Sequence, residues 1–260
     1  VLEIIDGGAA DETTLAANRA DLQSIELVPR NLEDVAEVDL STTVLGQHLP
    51  VPFMLAPCSF ARMCHPAGER AVARGAGELG VGYVVPGGAS EPLDAVAREA
   101  TGPLWYQIYL SPDHGRNQSV VDLVAASGYQ TLVVSVDTPM KPYRERDMRN
   151  GITIPLTVTP RLALAGLSRP VWAKNFVIGN QTAGFSLTAA QRAYYNFATA
   201  MAGLRPVTLK DVEWLRERWQ GPLVVKGILG PDKIREMVAV GVDAVVVSNH
   251  GARNLDGVVS

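Results

Sequence analysis

The chain has 260 residues, 47% of them hydrophobic and 19% charged, with 23 Lys and Arg against 27 Asp and Glu for a formal net charge of −4. That apolar fraction excludes a disordered acidic segment, and basic residues scattered among acids exclude the basic stripe of a duplex-binding protein, so nucleic acid is not an expected partner. The two cysteines, Cys58 and Cys64, are too few for a disulfide framework and lack companions for a metal site, so a reducing, cytoplasmic setting and no bound metal are expected.

In chain order, the start Val1-Leu2-Glu3-Ile4-Ile5-Asp6 shows neither the basic region nor the apolar run of a signal peptide, and residues 1–50 read as a leading segment. Short apolar runs then recur at Pro52–Pro57, Gly82–Pro86, Leu104–Tyr109, Thr131–Asp137, Leu223–Gly227 and Ala244–Asn249. They are continuous rather than alternating, which predicts parallel strands covered on both faces. Between them, Pro66–Leu79, Glu91–Ala100, Pro112–Ala126, Thr208–Trp219 and Pro231–Val240 read as helices, with Pro or Thr near the starts and Gly just past several ends. A strand-helix unit about every 25 residues predicts a parallel α/β sheet with right-handed crossovers. Residues 140–210 break the repeat as a long excursion after the fourth strand, the length of a lid or binding segment. Its Gly166–Trp172 stretch and the aromatic cluster Tyr194, Tyr195 and Phe197 suit a cover over a site or a peripheral contact with the membrane surface.

Polar residues fall repeatedly at the C-terminal ends of the runs: Gln107, Tyr109, Ser135, Asp137, Lys226, Asn249 and His250. That end is where a (β/α)₈ barrel builds its active site, and Pro57-Cys58-Ser59-Phe60 is not the glycine turn a Rossmann sheet requires. The expected fold is therefore a TIM (β/α)₈ barrel, incomplete, with about six of its eight units present. His250 followed by Arg253 can present a proton acceptor and an anion clamp to one small molecule. Asp137 can orient an imidazole, Arg144 can be a second carboxylate ligand, and Lys226 closing an apolar strand calls for an anion or an electron-rich ligand. Gln107 and Tyr109 share one face of their strand with Trp105. Taken singly, each has an ordinary structural explanation, and a lone His is more often a satisfied core residue than a base.

Together, Ala56-Pro57, Gln107-Ile-Tyr109, Ser135-Val-Asp-Thr-Pro139, Arg144-Glu145-x-Asp147, Lys226-Gly227 and Ser248-Asn-His-Gly-x-Arg253-x-Leu-Asp256 resemble the FMN-dependent L-α-hydroxy acid oxidases and dehydrogenases, the family of glycolate oxidase and the L-lactate and L-mandelate dehydrogenases. The resemblance runs from Asp6-Gly-Gly-Ala9 to Ser260, a single barrel domain over 1–260. Tyr143–Asp147, Arg169–Trp172 and Trp214-Leu-Arg look most like the membrane-associated mandelate and lactate dehydrogenase branch. It implies FMN as cofactor and oxidation of an L-2-hydroxy acid, lactate- or mandelate-like, to the 2-oxo acid. His250 takes a substrate proton as a hydride equivalent reaches flavin N5, and Asp137 orients it. Arg253 and Arg144 hold the carboxylate, Tyr109 bonds the substrate oxygen, and Lys226 sits near flavin N1 and O2. Ala56, Pro57, Cys58, Gln107 and Ser135 line up with positions that contact the isoalloxazine. Oxygen, quinone or cytochrome would serve as electron acceptor, in a homo-oligomer, commonly a tetramer, at the inner face of the membrane.

Departures bear on the substrate. A family tyrosine falls at Ile4, a frequent serine at Gly87, and a common threonine at Cys58. The family's Asp-Gly-Gly-x-Arg-x-Gly motif ending a seventh strand and Gly-Arg ending an eighth, which serve the ribityl phosphate, do not follow the sixth strand. The competing expectation is a non-catalytic barrel remnant or interaction module lacking that phosphate site, with exposed sheet edges.

Overall fold

The structure, a computed structural model, describes residues 5–151, 159–175 and 205–260. Ile4, the Tyr194, Tyr195 and Phe197 cluster and much of the excursion lie outside the described residues. In chain order the elements are helix α1 (Thr13–Gln23), strands β1 (Thr42–Val44), β2 (Gln47–Leu49) and β3 (Met54–Leu55), helices α2 (Ala61–Cys64) and α3 (Gly68–Glu78), β4 (Gly82–Val85), α4 (Leu93–Glu99), β5 (Leu104–Ile108), α5 (His114–Ala126) and β6 (Thr131–Ser135). After α6 (Glu145–Arg149) and α7 (Pro160–Leu167) come α8 (Leu209–Arg218), β7 (Leu223–Ile228), α9 (Pro231–Ala239), β8 (Ala244–Val247) and a tight turn at His250–Ala252.

Strands β3 to β8 form one sheet in unbroken sequence order, every neighbouring pair parallel. A doubly wound sheet reverses order at a switch point, and a barrel does not. The sheet is thus the curled part of an incomplete TIM barrel, as the polar strand ends suggested. Each expected strand is present at its expected place, and the five expected helices appear as α3, α4, α5, α8 and α9.

Two cores explain the continuous apolar runs. Tyr106, Ile108, Leu132, Val134, Leu223 and Val225 point outward into the layer under the helices, joined by Val121, Val124 and Leu215. The alternate residues Val84, Trp105, Val133 and Val224 point inward and form a smaller cluster with Val44, Leu45 and Met54. A strand apolar on both faces is what a barrel wall under helices requires. Helix starts are fixed locally: Asp113 accepts from the Arg116 amide at 3.1 Å, and Thr208 with Asp211 forms a capping box. Arg205, 2.6 Å from Asp211, holds that carboxyl well below its ordinary range.

The leading segment differs from its expectation. It contains helix α1 and an antiparallel hairpin, β1 with β2, turning at Leu45 (φ 50) and Gly46 (φ 77). The run expected over 52–57 is a strand only at Met54–Leu55, because prolines bound it on both sides. The hairpin closes the N-terminal end of the inward cluster: Trp105 Nε1 donates to Gln47 Oε1 at 2.8 Å, and Gln47 Nε2 donates to Thr131 Oγ1 at 3.1 Å. The fourth strand ends at Ser135, so Asp137 lies on the loop beyond it.

Candidate active site

Inward positions at the C-terminal ends of β5, β6 and β7 carry Gln107, Ser135 and Lys226, with Ser135 paired in register with Lys226. Gln107 Oε1 accepts from the Gly87 amide at 3.0 Å. Gln107 Nε2 and Ser135 Oγ are buried and make no hydrogen bond among the described residues. Buried polar groups left unmet are costly, and two on adjacent strand ends mark a surface shaped for a ligand with acceptor atoms. Lys226 Nζ donates to Ser248 Oγ at 3.0 Å and lies 3.8 Å from Asp137 Oδ2. Burial pushes its ammonium below the ordinary lysine range, opposed by the Asp137 carboxylate.

Asp137 reaches the His250 ring: Nδ1 of His250 is 2.8 Å from Asp137 Oδ1. A carboxylate only accepts, so Nδ1 carries hydrogen and Nε2 of the neutral ring is the basic nitrogen. Tyr109 OH is 3.4 Å from that Nε2. Asn254 Nδ2 donates to the Asp137 carbonyl at 3.2 Å, fixing the loop from the far side. Gly227 makes the approach of Asp137 possible: a Cβ there would stand 2.5 Å from Asp137 Cβ and Cγ, at a φ of +109°. A register irregularity between Lys226 and Ile228 accommodates it.

Arg144 Nη2 and Arg253 Nη1 both donate to the Gly7 carbonyl, at 3.0 and 3.1 Å. Arg144 also pairs with Asp147, Nε to Oδ2 at 3.0 Å, and Arg253 bonds the Ile5 carbonyl. Burial first, then the neighbouring Arg253, push the Arg144 guanidinium below its ordinary value. Two guanidinium groups meeting at one neutral oxygen repel each other, and a carboxylate is the group that relieves this best.

The turn that carries His250 is left-handed throughout, with φ of 60 at His250, 62 at Gly251 and 58 at Ala252. For the two residues with side chains this costs roughly 1–2 kcal/mol each. Gly8 fits beneath it, where a Cβ would be 3.2 Å from the Ala252 carbonyl oxygen.

The structure therefore brings Gln107, Ser135 and Lys226 together on adjacent strand ends and joins Asp137 to Lys226 and His250 and His250 to Tyr109, while Arg144 and Arg253 meet each other at Gly7. Ala56, Pro57 and Cys58 follow β3 at the same end, with Cys58 within electrostatic reach of Lys226. Sequence reading placed Gly227, Ser248 and Gly7 within motifs but gave no role to them or to Asn254. For Gly227 the signal was its place directly after a lysine that closes a strand. A separate cavity of about 460 Å³ lies between Arg62–Pro66 and Ser168–Asn175, and none of these site residues lines it. No group of three or more His, Cys, Asp or Glu among the described residues suits a metal.

The donor set fits FMN. Gln107 and Ser135 have unmet polar groups that could donate to the acceptor atoms of a flavin ring, and Lys226 could offset the negative charge of a reduced flavin.

Comparison with known proteins gives concordant findings. A family model described as FMN-dependent dehydrogenase matches residues 1–260. L-lactate dehydrogenase of Haemophilus influenzae (strain PittEE) is 36% identical over 98% of this chain and 68% of its own length. Among solved structures, the monotopic membrane protein (S)-mandelate dehydrogenase superposes with a TM-score of 0.89 at 30% identity, covering 99% of this chain and 70% of that one. A mandelate oxidase variant with a C4a-OH-FMN adduct gives 0.77 at 31% identity, covering 99% of this chain and 66% of that one. The chain thus spans about two thirds of the length of these relatives. The alternative of a non-catalytic remnant finds no support among them.

Proposed function

Because the chain belongs to the FMN-dependent dehydrogenase family, we propose that residues 1–260 form a single barrel-type unit of an enzyme that oxidises a small L-2-hydroxy acid, lactate- or mandelate-like, to the 2-oxo acid. The observation that carries the reading is the convergence of Arg144 and Arg253 on one carbonyl oxygen, with Arg253 three residues after the His250 that pairs with Asp137. FMN, when bound, accepts the two electrons that the substrate loses. Gln107, Ser135 and Lys226 would hold its ring, with the loop Ala56, Pro57 and Cys58 alongside.

Arg144 and Arg253 bind the substrate carboxylate by charge-assisted hydrogen bonds, which fixes the carbinol carbon relative to the ring. Tyr109 OH donates to the substrate oxygen. His250 Nε2 takes a proton from the substrate, and the positive charge that develops on the imidazole is offset by Asp137 at 2.8 Å. Asp137 thereby acts on both His250 and Lys226, which ties the base and the flavin-facing charge to one carboxylate.

The test is direct. FMN-loaded protein mixed without oxygen with L-lactate or (S)-mandelate loses its yellow absorbance. A protein that does not take up FMN, or one whose flavin no 2-hydroxy acid reduces, overturns the reading.

The proposal includes peripheral membrane contact. No helix among the described residues is long and apolar enough to cross a membrane. Leu164, Leu167 and Val171 in the excursion are nonetheless exposed apolar side chains, and one structural relative is described as a monotopic membrane protein. Co-sedimentation with phospholipid vesicles, lost in Leu164→Ser/Leu167→Ser, checks it; equal binding by both proteins counts against this surface.

A further inference from the structure

We infer that Asp256 is a positioning residue for His250 and that helix α1 is the clamp through which it acts, a role that rests on the assignment of His250 as base. Asp256 follows His250 by six positions in the same loop. Its carboxylate spans to the far end of the chain: Oδ1 accepts from the Thr14 amide at 2.7 Å and Oδ2 from the Thr13 amide at 3.1 Å. These are first-turn amides of α1, and the residue at the helix's own cap position, Glu12, provides no side-chain cap. The helix start is thus completed by a residue from the loop that carries the base.

Four further hydrogen bonds tie this helix and the residues just ahead of it to the same loop. Thr14 Oγ1 donates to the Val258 carbonyl at 3.3 Å, and the Val258 amide donates back at 3.2 Å. Asn249 Nδ2 donates to Asn18 Oδ1 at 2.7 Å. The Ala9 amide, just ahead of the helix, donates to the Ala252 carbonyl at 2.8 Å. The held positions, Asn249 on one side and Asp256 with Val258 on the other, bracket His250–Ala252, all in the left-handed region. Left to itself, such a turn relaxes toward right-handed conformations, because only its central residue is glycine. Relaxation would swing the His250 ring away from Asp137 and Tyr109. The clamp therefore maintains a strained presentation of the base, while Arg253, with right-handed backbone and its own bonds to Ile5 and Gly7, is anchored separately.

The experiment compares Asp256→Ala, Asp256→Asn and Asp256→Ala/Ala252→Gly in the FMN-loaded protein, with rates expressed per bound flavin and read together with amide hydrogen exchange at residues 249–253. Asp256→Ala is expected to speed exchange of the Ala252 and Arg253 amides and to lower kcat, each by roughly tenfold, the factor that loss of a typical cap corresponds to. KM changes by less than about threefold, because Arg253 and Arg144 keep their own anchors. Asp256→Asn, which retains an acceptor oxygen, restores kcat to within about threefold. Ala252→Gly restores much of the lost kcat in the Asp256→Ala background, since glycine takes the left-handed conformation freely. If Asp256→Ala does not fold, Asn18→Ala should show the same pattern at smaller size. A lowered melting temperature with exchange and kcat both within about twofold of the parent overturns the inference and leaves Asp256 a structural cap. If the unmutated protein oxidises no 2-hydroxy acid, the functional proposal fails, while the exchange measurement still decides the clamp.

Discussion

The two ends of the barrel wall are built from the same strands and satisfied in opposite ways. At the N-terminal end, Trp105, Gln47 and Thr131 close on one another in a chain of hydrogen bonds beneath the β1–β2 hairpin. At the C-terminal end, two residues beyond Trp105 and four beyond Thr131 on the same strand faces, Gln107 Nε2 and Ser135 Oγ are buried without partners among the described residues, and two guanidinium groups share one carbonyl. A folded chain does not leave such groups unmet without compensation, so the first end stabilises and the second is arranged for something else to bind.

Substitutions should separate the ends cleanly. The largest effect is expected from His250→Ala, which removes the base and lowers the rate of flavin reduction by roughly 10²–10⁴-fold in an anaerobic stopped-flow measurement, while the visible spectrum shows FMN still bound. Gly227→Ala comes next. Its Cβ cannot coexist with Asp137 at 2.5 Å, and displacement of the carboxylate by about an ångström should cost up to roughly a hundredfold in kcat. Arg144→Met should act on KM more than kcat, raising it by roughly 10–100-fold, as expected for one lost charge-assisted contact.

At the satisfied end the signs reverse. Trp105→Phe orphans Gln47 Oε1 and should lower unfolding free energy by about 1–3 kcal/mol in urea titration with unaltered substrate kinetics. A kinetic effect there would erase the contrast between the ends. The smallest effect concerns acid. Asp256, bonded by the first amides of α1, is lowered from 3.8 to about 2. The folded form therefore holds its proton less tightly than the unfolded form. Its contribution is complete above about pH 3.8, falls as the pH drops toward 2 and is absent below that. Asp256→Asn should flatten that part of the acid unfolding curve.

The strands were legible because their β-branched runs are apolar on both faces, and the barrel because Gln107, Ser135, Asp137 and Lys226 interrupt those runs at one end only. Length and Gly-Pro punctuation found helices α3, α4, α5, α8 and α9 to within a few residues. The β1–β2 hairpin escaped notice because its turn is Leu45-Gly46, without the Asn-Gly or Asp-Gly pair that usually announces a left-handed turn. For the site, His250 and Arg253 could be named from spacing and residue type as a proton acceptor and an anion clamp, but the flavin and the hydroxy acid came from resemblance to a family. What no local reading could supply was the left-handed backbone at His250 and the partners of Asp256. Both depend on contacts across nearly the whole chain.

Those contacts also order events in time. Thr14 and Asp256 are 242 positions apart. At roughly 5–20 residues per second, a ribosome takes some tens of seconds or less to pass from one to the other. Throughout that interval the first turn of helix α1 lacks the carboxylate that completes it, and the strands of the wall can pair before the base is held. The strained turn at His250 thus cannot be secured until Asp256 has been made, so a nascent chain has strands β3 to β8 before it acquires the means to move a proton.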